Sequence, residues 1–301
     1  MKTILNALLA LCLAVAALPS LAALNVFACE PEWGALAKEI GGDRLSIYTA
    51  TTALQDPHRI EARPSLIARA RSADLMICTG LDLEVGWLPL LFTQSGNAKI
   101  RPGSPGYFEA SQFVAKIEIP QVIDRSMGDI HPGGNPHIHL DPRNIAKVAD
   151  ALGARLAQID PGNAAAYKAG TAAFLERWQA AIARWEKEGV RLKGVPVVVY
   201  HRDMSYFIAW SGMREAGSLE PKPGIPATPS HLADLVERMK REPAKVIVYS
   251  AYNSPKAAEF LAERSGIPKA MLPFTVGGSE KASDLFGLFD DTINRLLATL
   301  K

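Results

Sequence analysis

The sequence predicts an α/β protein of two lobes, each built on a parallel-type sheet flanked by helices, with one long helix joining them. Three observations carry this reading. Short apolar runs alternate with helical stretches between residues 24 and about 91. A long stretch rich in Ala, Glu, Lys, Arg and Trp follows mid-chain. The alternation then restarts after Gly194.

Leu24 to Ala28 is the first short strand, and Pro31 to Ile40 the first helix, stopped by Gly41-Gly42. Leu45 to Tyr48 is a second strand. A polar, turn-forming stretch follows, then a helix from Pro64 to Ser72 and a buried strand from Ala73 to Cys78. Asp82 to Leu91 is expected to be helical. Residues 96 to 134 are richer in Gly and Pro and less regular. Asp141 can cap a helix with Pro142 at its first position. Ile145, Val148, Ala149, Leu152, Leu156 and Ile159 then recur at helical spacing. The long helix is expected from Pro161 to Glu188, about 40 Å at ~1.5 Å per residue. In the second half, strands are expected at Val195 to Tyr200, Lys245 to Tyr249 and Ala270 to Leu272. Helices are expected at His231 to Arg241, capped by Thr228 or Ser230, at Pro255 to Ser265, and at Asp284 to Leu300. The division is therefore 23–160, a linking helix over 161–190, and 191–301, with no repeat between the lobes.

Residues 1–22 read as a secretory signal peptide. Lys2 is the charged start, Ile4 to Leu18 the apolar middle, and Ser20 and Ala22 stand at the small positions before a cut near Ala23. The apolar run is shorter than the ~20 residues of a membrane-spanning helix. Leu11 precedes Cys12, where a lipid-attachment site wants a small residue. The chain is expected to be exported to the periplasm. The net charge is +2 with 21% charged residues, and no basic run suggests nucleic acid. Cys29 and Cys78 remain after processing. Both end strands of the first half, and neighbouring strands lie ~4.8 Å apart, within reach of a disulfide. A disulfide is expected there, with two buried thiols as the alternative.

The chain has six histidines. His58 lies in a Gln-Asp-Pro-His turn, His137 follows Asn135-Pro136, and His201 directly follows the run VPVVVY. In open α/β sheets, ligands bind beyond the carboxyl ends of strands, so these positions suit a cleft between the lobes. Neutral imidazole is a common ligand for zinc and other divalent metals. His139 is two residues from His137, and extended chain would turn both rings to one side. His131, in a Gly/Pro loop, and His231, at a helix start, are assigned to the surface. There is no HExxH, GxSxG or glycine-rich phosphate loop.

In this order, the segments DPHRIEARPS, GNPHIHLDP and YHRDMSYF, with a long central helix and a second α/β half, are specific. The chain resembles the zinc/manganese substrate-binding proteins of bacterial ABC importers, the cluster A-I family, over nearly its whole length beyond residue 22. The resemblance implies two α/β lobes bridged by a rigid helix, small rearrangements on binding, and metal ligation by His58, His137 and His201. That family usually has an aromatic residue where His139 stands. Its fourth ligand is usually an Asp or Glu just after the last short strand, where this chain has Pro273, Phe274 and Thr275. The fourth donor is therefore open between His139 and a water, with Glu280 or Asp284 behind them.

The expected function is periplasmic capture of a divalent transition metal and its delivery to an inner-membrane ABC permease driven by a cytoplasmic ATPase. The bound ion is cargo, with no catalytic cofactor, and the receptor is expected to be a monomer and not an enzyme. Three imidazoles favour zinc, since manganese prefers more oxygen donors. Manganese is the alternative cargo. A zinc hydrolase using Asp203 or Glu61 as base is a rival from another class, and an adhesin is a third.

Overall fold

The computed structural model describes residues 23–300. The expected signal peptide lies outside them. The described residues form two four-stranded parallel sheets flanked by helices.

The first sheet has the order β2-β1-β3-β4, with β1 Leu24–Ala28, β2 Leu45–Thr49, β3 Leu75–Cys78 and β4 Tyr107–Glu109. β1 is central, with Val26 aligned to Ile47 on one side and to Leu75 on the other. β3 is buried along its whole length, as a parallel strand covered on both faces should be. The second sheet has the order β6-β5-β7-β8, with β5 Pro196–Val199, β6 Arg214–Ser218, β7 Val246–Ser250 and β8 Lys269–Leu272. Pro196 is the first residue of its strand, the position where a missing N–H is tolerated.

The sequence reading lacks β4 and β6. Both are edge strands, and β6 reads REAGS, with too little apolar content to signal a strand. The helix expected at Asp82–Leu91 is corrected to Leu88–Ser95. Gly80, Leu81 and Asp82 all have positive φ, which breaks a right-handed helix there. The Cap residues Asp141 and Thr228 each accept a backbone N–H of the helix that follows.

The linking helix is Ala164–Glu188, of 25 residues. It starts later than expected because Pro161–Asn163 makes a separate short turn. Tyr167, Thr171, Phe174, Trp178, Ala181, Ile182 and Trp185 form its buried stripe. A Cβ on Gly170 would fall 2.1 Å from the carbonyl oxygen of Ile40, so close packing on the helix Pro31–Gly41 requires glycine. Trp178 stacks on Phe174 and meets Trp185, and Trp185 stacks on Phe289 of the last helix, Leu285–Thr299. The two indole N–H groups donate to the carbonyl of Pro142 at 2.7 Å and to Asp290 at 2.6 Å. One apolar core runs from Val26 through these tryptophans to Leu296. A close-packed core crossing both lobes resists wide hinging.

Candidate metal centre

The site is assembled by three local devices. Asp56 caps the turn Pro57–Arg59, and its Oδ1 accepts the backbone N–H of His58 at 3.0 Å. The same oxygen lies 2.7 Å from His58 Nδ1. A carboxylate can only accept, so Nδ1 carries the proton and Nε2 presents its lone pair. His201 stands two residues beyond β5, and its Nδ1 lies 2.7 Å from Glu220 Oε2. The pairing follows from sheet register: Val199 aligns with Ser218, and two residues further on both chains stand His201 and Glu220. Asn135 sets the third position. Its Oδ1 accepts the backbone N–H of His137 at 2.9 Å, and its Nδ2 donates to the carbonyl of Arg202 at 2.7 Å. One side chain thus ties the His137 loop to the segment after His201.

One nitrogen from each of His58, His137 and His201 lies within 4.8 Å of the other two. Their ring centroids are 5.4 to 5.7 Å apart. His137 is 1% exposed, and neither ring nitrogen has a hydrogen-bond partner among the described residues. Buried imidazole nitrogens without partners are costly, so the cluster is poised for a Lewis acid. Burial, with His58 and His201 beside it, holds the pKa of His137 well below its usual range. It is neutral, as a ligand must be. Burial also opposes charge on His201, but the Glu220 hydrogen bond and the charges of Asp203 and Glu220 outweigh it and raise its pKa. A cavity of about 620 Å³ opens beside the cluster, lined in part by Glu118, Met127, His131, His137 and His201.

His139, one of the two donors left open for the fourth position, lies apart from this cluster. Its Nε2 donates to the carbonyl of Phe274 at 3.0 Å, and its Nδ1 lies 3.1 Å from Glu32 Oε1, off the hydrogen-bond direction. The reason is local. Ile138–Leu140 forms a tight helical turn, so residues 137 and 139 lose the shared facing of extended chain. Glu280 and Asp284 are exposed, and Asp284 instead caps the last helix. Phe274, just after β8, has φ of 65° and places its ring 5.6 Å from that of His137. Asp203 is buried, with Oδ2 accepting from Ser250 and Tyr252. Glu61 is exposed.

His131, expected at the surface, is instead half-buried against the site. Its Nε2 is 3.2 Å from His58 Nε2, and its Nδ1 is 2.8 Å from the carbonyl oxygen of Leu81. Burial and His58 push its pKa down to about 4. No sequence signal marked it, since it sits in the irregular Gly/Pro region. Cys29 and Cys78 are joined in a disulfide, with Cα atoms 4.8 Å apart.

A profile of the family described as zinc-uptake complex component A, periplasmic, matches residues 26–299. The manganese ABC transporter substrate-binding lipoprotein scaA of Streptococcus gordonii is 24% identical over 87% of this chain and 83% of its own length. The iron ABC transporter substrate-binding lipoprotein MtsA of Streptococcus pyogenes serotype M1 is 23% identical over 77% and 74%. Among solved structures, a crystal structure of ZnuA aligns with a TM-score of 0.73 at 21% identity, covering 91% of this chain and 99% of that one. The Mn-bound periplasmic metal binding protein of Candidatus Liberibacter asiaticus aligns with a TM-score of 0.75 at 18% identity, covering 92% and 100%. At these identities the structural likeness speaks for the fold.

Proposed function

We propose, from the premise that this chain belongs to the family of periplasmic zinc-uptake complex component A, substrate-binding proteins of ABC importers and not enzymes, that its cargo is zinc, held by His58, His137 and His201. The observation that carries this is the buried imidazole of His137, with both nitrogens unpartnered among the described residues, between two histidines each oriented by a carboxylate. Such carboxylate–histidine pairs hold a ring in place and raise its basicity toward a metal.

The donor set favours zinc over manganese. Nitrogen ligands suit zinc, whereas manganese favours carboxylate, carbonyl and water oxygens. Three nearby carboxylates are already committed, Asp56 and Glu220 to histidines and Asp203 to Ser250 and Tyr252. Manganese is the second reading, because scaA is named for it. In the proposed cycle the exported protein, a periplasmic monomer, takes up the ion and passes it to an inner-membrane permease powered by a cytoplasmic ATPase. Its lobes divide near residues 160 and 190, and the continuous core favours small movements on loading.

Elemental analysis of untagged protein from the periplasm tests this. One zinc per chain is expected, with His137→Ala weakening zinc binding by about tenfold or more. Stoichiometric manganese instead of zinc, or no metal at all, would overturn the reading.

A further inference from the structure

Three histidines leave a tetrahedral ion one donor short, and zinc sites held wholly by protein are four-coordinate. We propose that His131 is the fourth protein ligand, making the site an all-imidazole one. This rests on the metal-binding reading above and goes beyond it.

The argument begins with protons. Leu81 offers His131 Nδ1 a carbonyl oxygen at 2.8 Å, which can only accept, so Nδ1 carries the proton. Asp56 does the same to Nδ1 of His58. In their neutral forms, both Nε2 atoms therefore present lone pairs, and they face each other at 3.2 Å. Two lone pairs at that distance repel unless a cation lies between the donors. Zn–N bonds of ~2.0–2.1 Å at a tetrahedral angle put two ligand nitrogens ~3.3 Å apart. The observed 3.2 Å fits two ligands on one ion, and it equally fits an N–H···N hydrogen bond when one of the two rings carries both protons. His131 stands outside the trio whose nitrogens all lie within 4.8 Å of one another, so closing the shell requires its loop to move inward on loading.

A second observation is the cost of holding His131 there. Leu81 and Asp82 both have positive φ, 56° and 61°, directly after Gly80 at 83°. Left-handed backbone at non-glycine residues is uncommon, and such strain gathers at functional sites. Here it belongs to the turn whose carbonyl grips His131. The loop side is equally close: a Cβ on Gly133 would lie 2.5 Å from Leu81 Cδ2. The loop is tied to the second lobe as well, with the N–H of Asp129 donating to the carbonyl of Pro223 at 2.8 Å. Meanwhile the place after β8 is filled by the phenyl ring of Phe274.

X-ray absorption at the zinc edge, on the exported protein loaded with one equivalent, counts the imidazoles directly. Four are expected in the unmodified protein and three plus an oxygen donor in His131→Ala, with affinity in a chelator competition lower by about tenfold or more. His131→Gln, which keeps a donor for the Leu81 carbonyl, should match His131→Ala and guards against a folding defect. Three imidazoles in the unmodified protein, or an imidazole count unchanged in His131→Ala, would overturn the proposal while leaving the three-histidine reading intact. Failure of the unmodified protein to bind zinc would sink both.

Discussion

His139 and Phe274 meet edge to face, with ring centroids 5.1 Å apart, while the imidazole Nε2 donates to the phenylalanine's own carbonyl at 3.0 Å. This contact joins the turn before the helix Pro142–Ile159 to the segment after β8, and so fastens one lobe to the other. Glu32 and Trp33 complete the buried surround. These contacts assign His139 to holding the lobes together beside the proposed metal site.

The His139→Ala variant should therefore separate stability from binding. Removing the ring leaves a cavity and strips the Phe274 carbonyl of its donor, a loss of about 2–4 kcal/mol by urea denaturation. Zinc affinity should stay within about threefold, well short of the ~10–100-fold typical of disturbed metal sites. A tenfold loss of affinity at unchanged stability would reverse the assignment.

With His201 as a ligand, as proposed, Glu220 would set how protons compete with metal there. A protonated imidazole cannot bind, so affinity contributed by His201 is present above its raised pKa and is lost as pH falls through it. Glu220→Gln removes the main interaction that raises the pKa. The pH at which zinc binding is lost should move down. At about pH 8 affinity should fall by roughly tenfold, because the ring is no longer held as before. Chelator competition between about pH 6 and 8 reads both effects, and an unmoved pH midpoint would count against the pairing.

Glu30 and Glu84 lie buried beside the disulfide, near Thr79 and Trp33. Burial pushes Glu30 well above the usual carboxylate range and Glu84 up to about 7. An acid with a raised folded-state pKa is deprotonated first in the unfolded chain. Stability is thus greatest below the usual carboxylate pKa and falls as pH rises toward 7. The metal-free protein should lose on the order of a few kcal/mol between about pH 4.5 and 7.5. Glu84→Gln, which keeps an acceptor for the N–H groups of Thr79 and Gly80, should flatten that slope in urea titrations. An equal slope in the variant would refute the assignment.

The Cys29–Cys78 bridge closes a loop with a sequence separation of 49. Loop-closure entropy for that length corresponds to about 4 kcal/mol. The double variant Cys29→Ala/Cys78→Ala should lose about that much by chemical denaturation. It should keep zinc affinity within about threefold if the three histidines hold their places. Stability equal to that of the unmodified protein would show that the bridge does not constrain the unfolded chain.

The sequence by itself determined the alternation of strands and helices, because buried parallel strands such as β3 and β5 are continuous apolar runs and amphipathic helices carry their own period. It also determined which three histidines stand at turns and strand ends, and that the linking helix is long. Only the tertiary structure decided which side chains share a site. His139 is two residues from His137, yet a single tight turn sends it to Glu32 and Phe274. His131 carries no local signal, yet chain crossing brings it 3.2 Å from His58, 73 residues away. Glu220 was hidden because β6 is too polar to read as a strand, and its pairing with His201 exists only through sheet register. Local periodicity reports burial along one segment. The meeting of donors depends on where separate segments cross, and that is decided by packing of the whole chain.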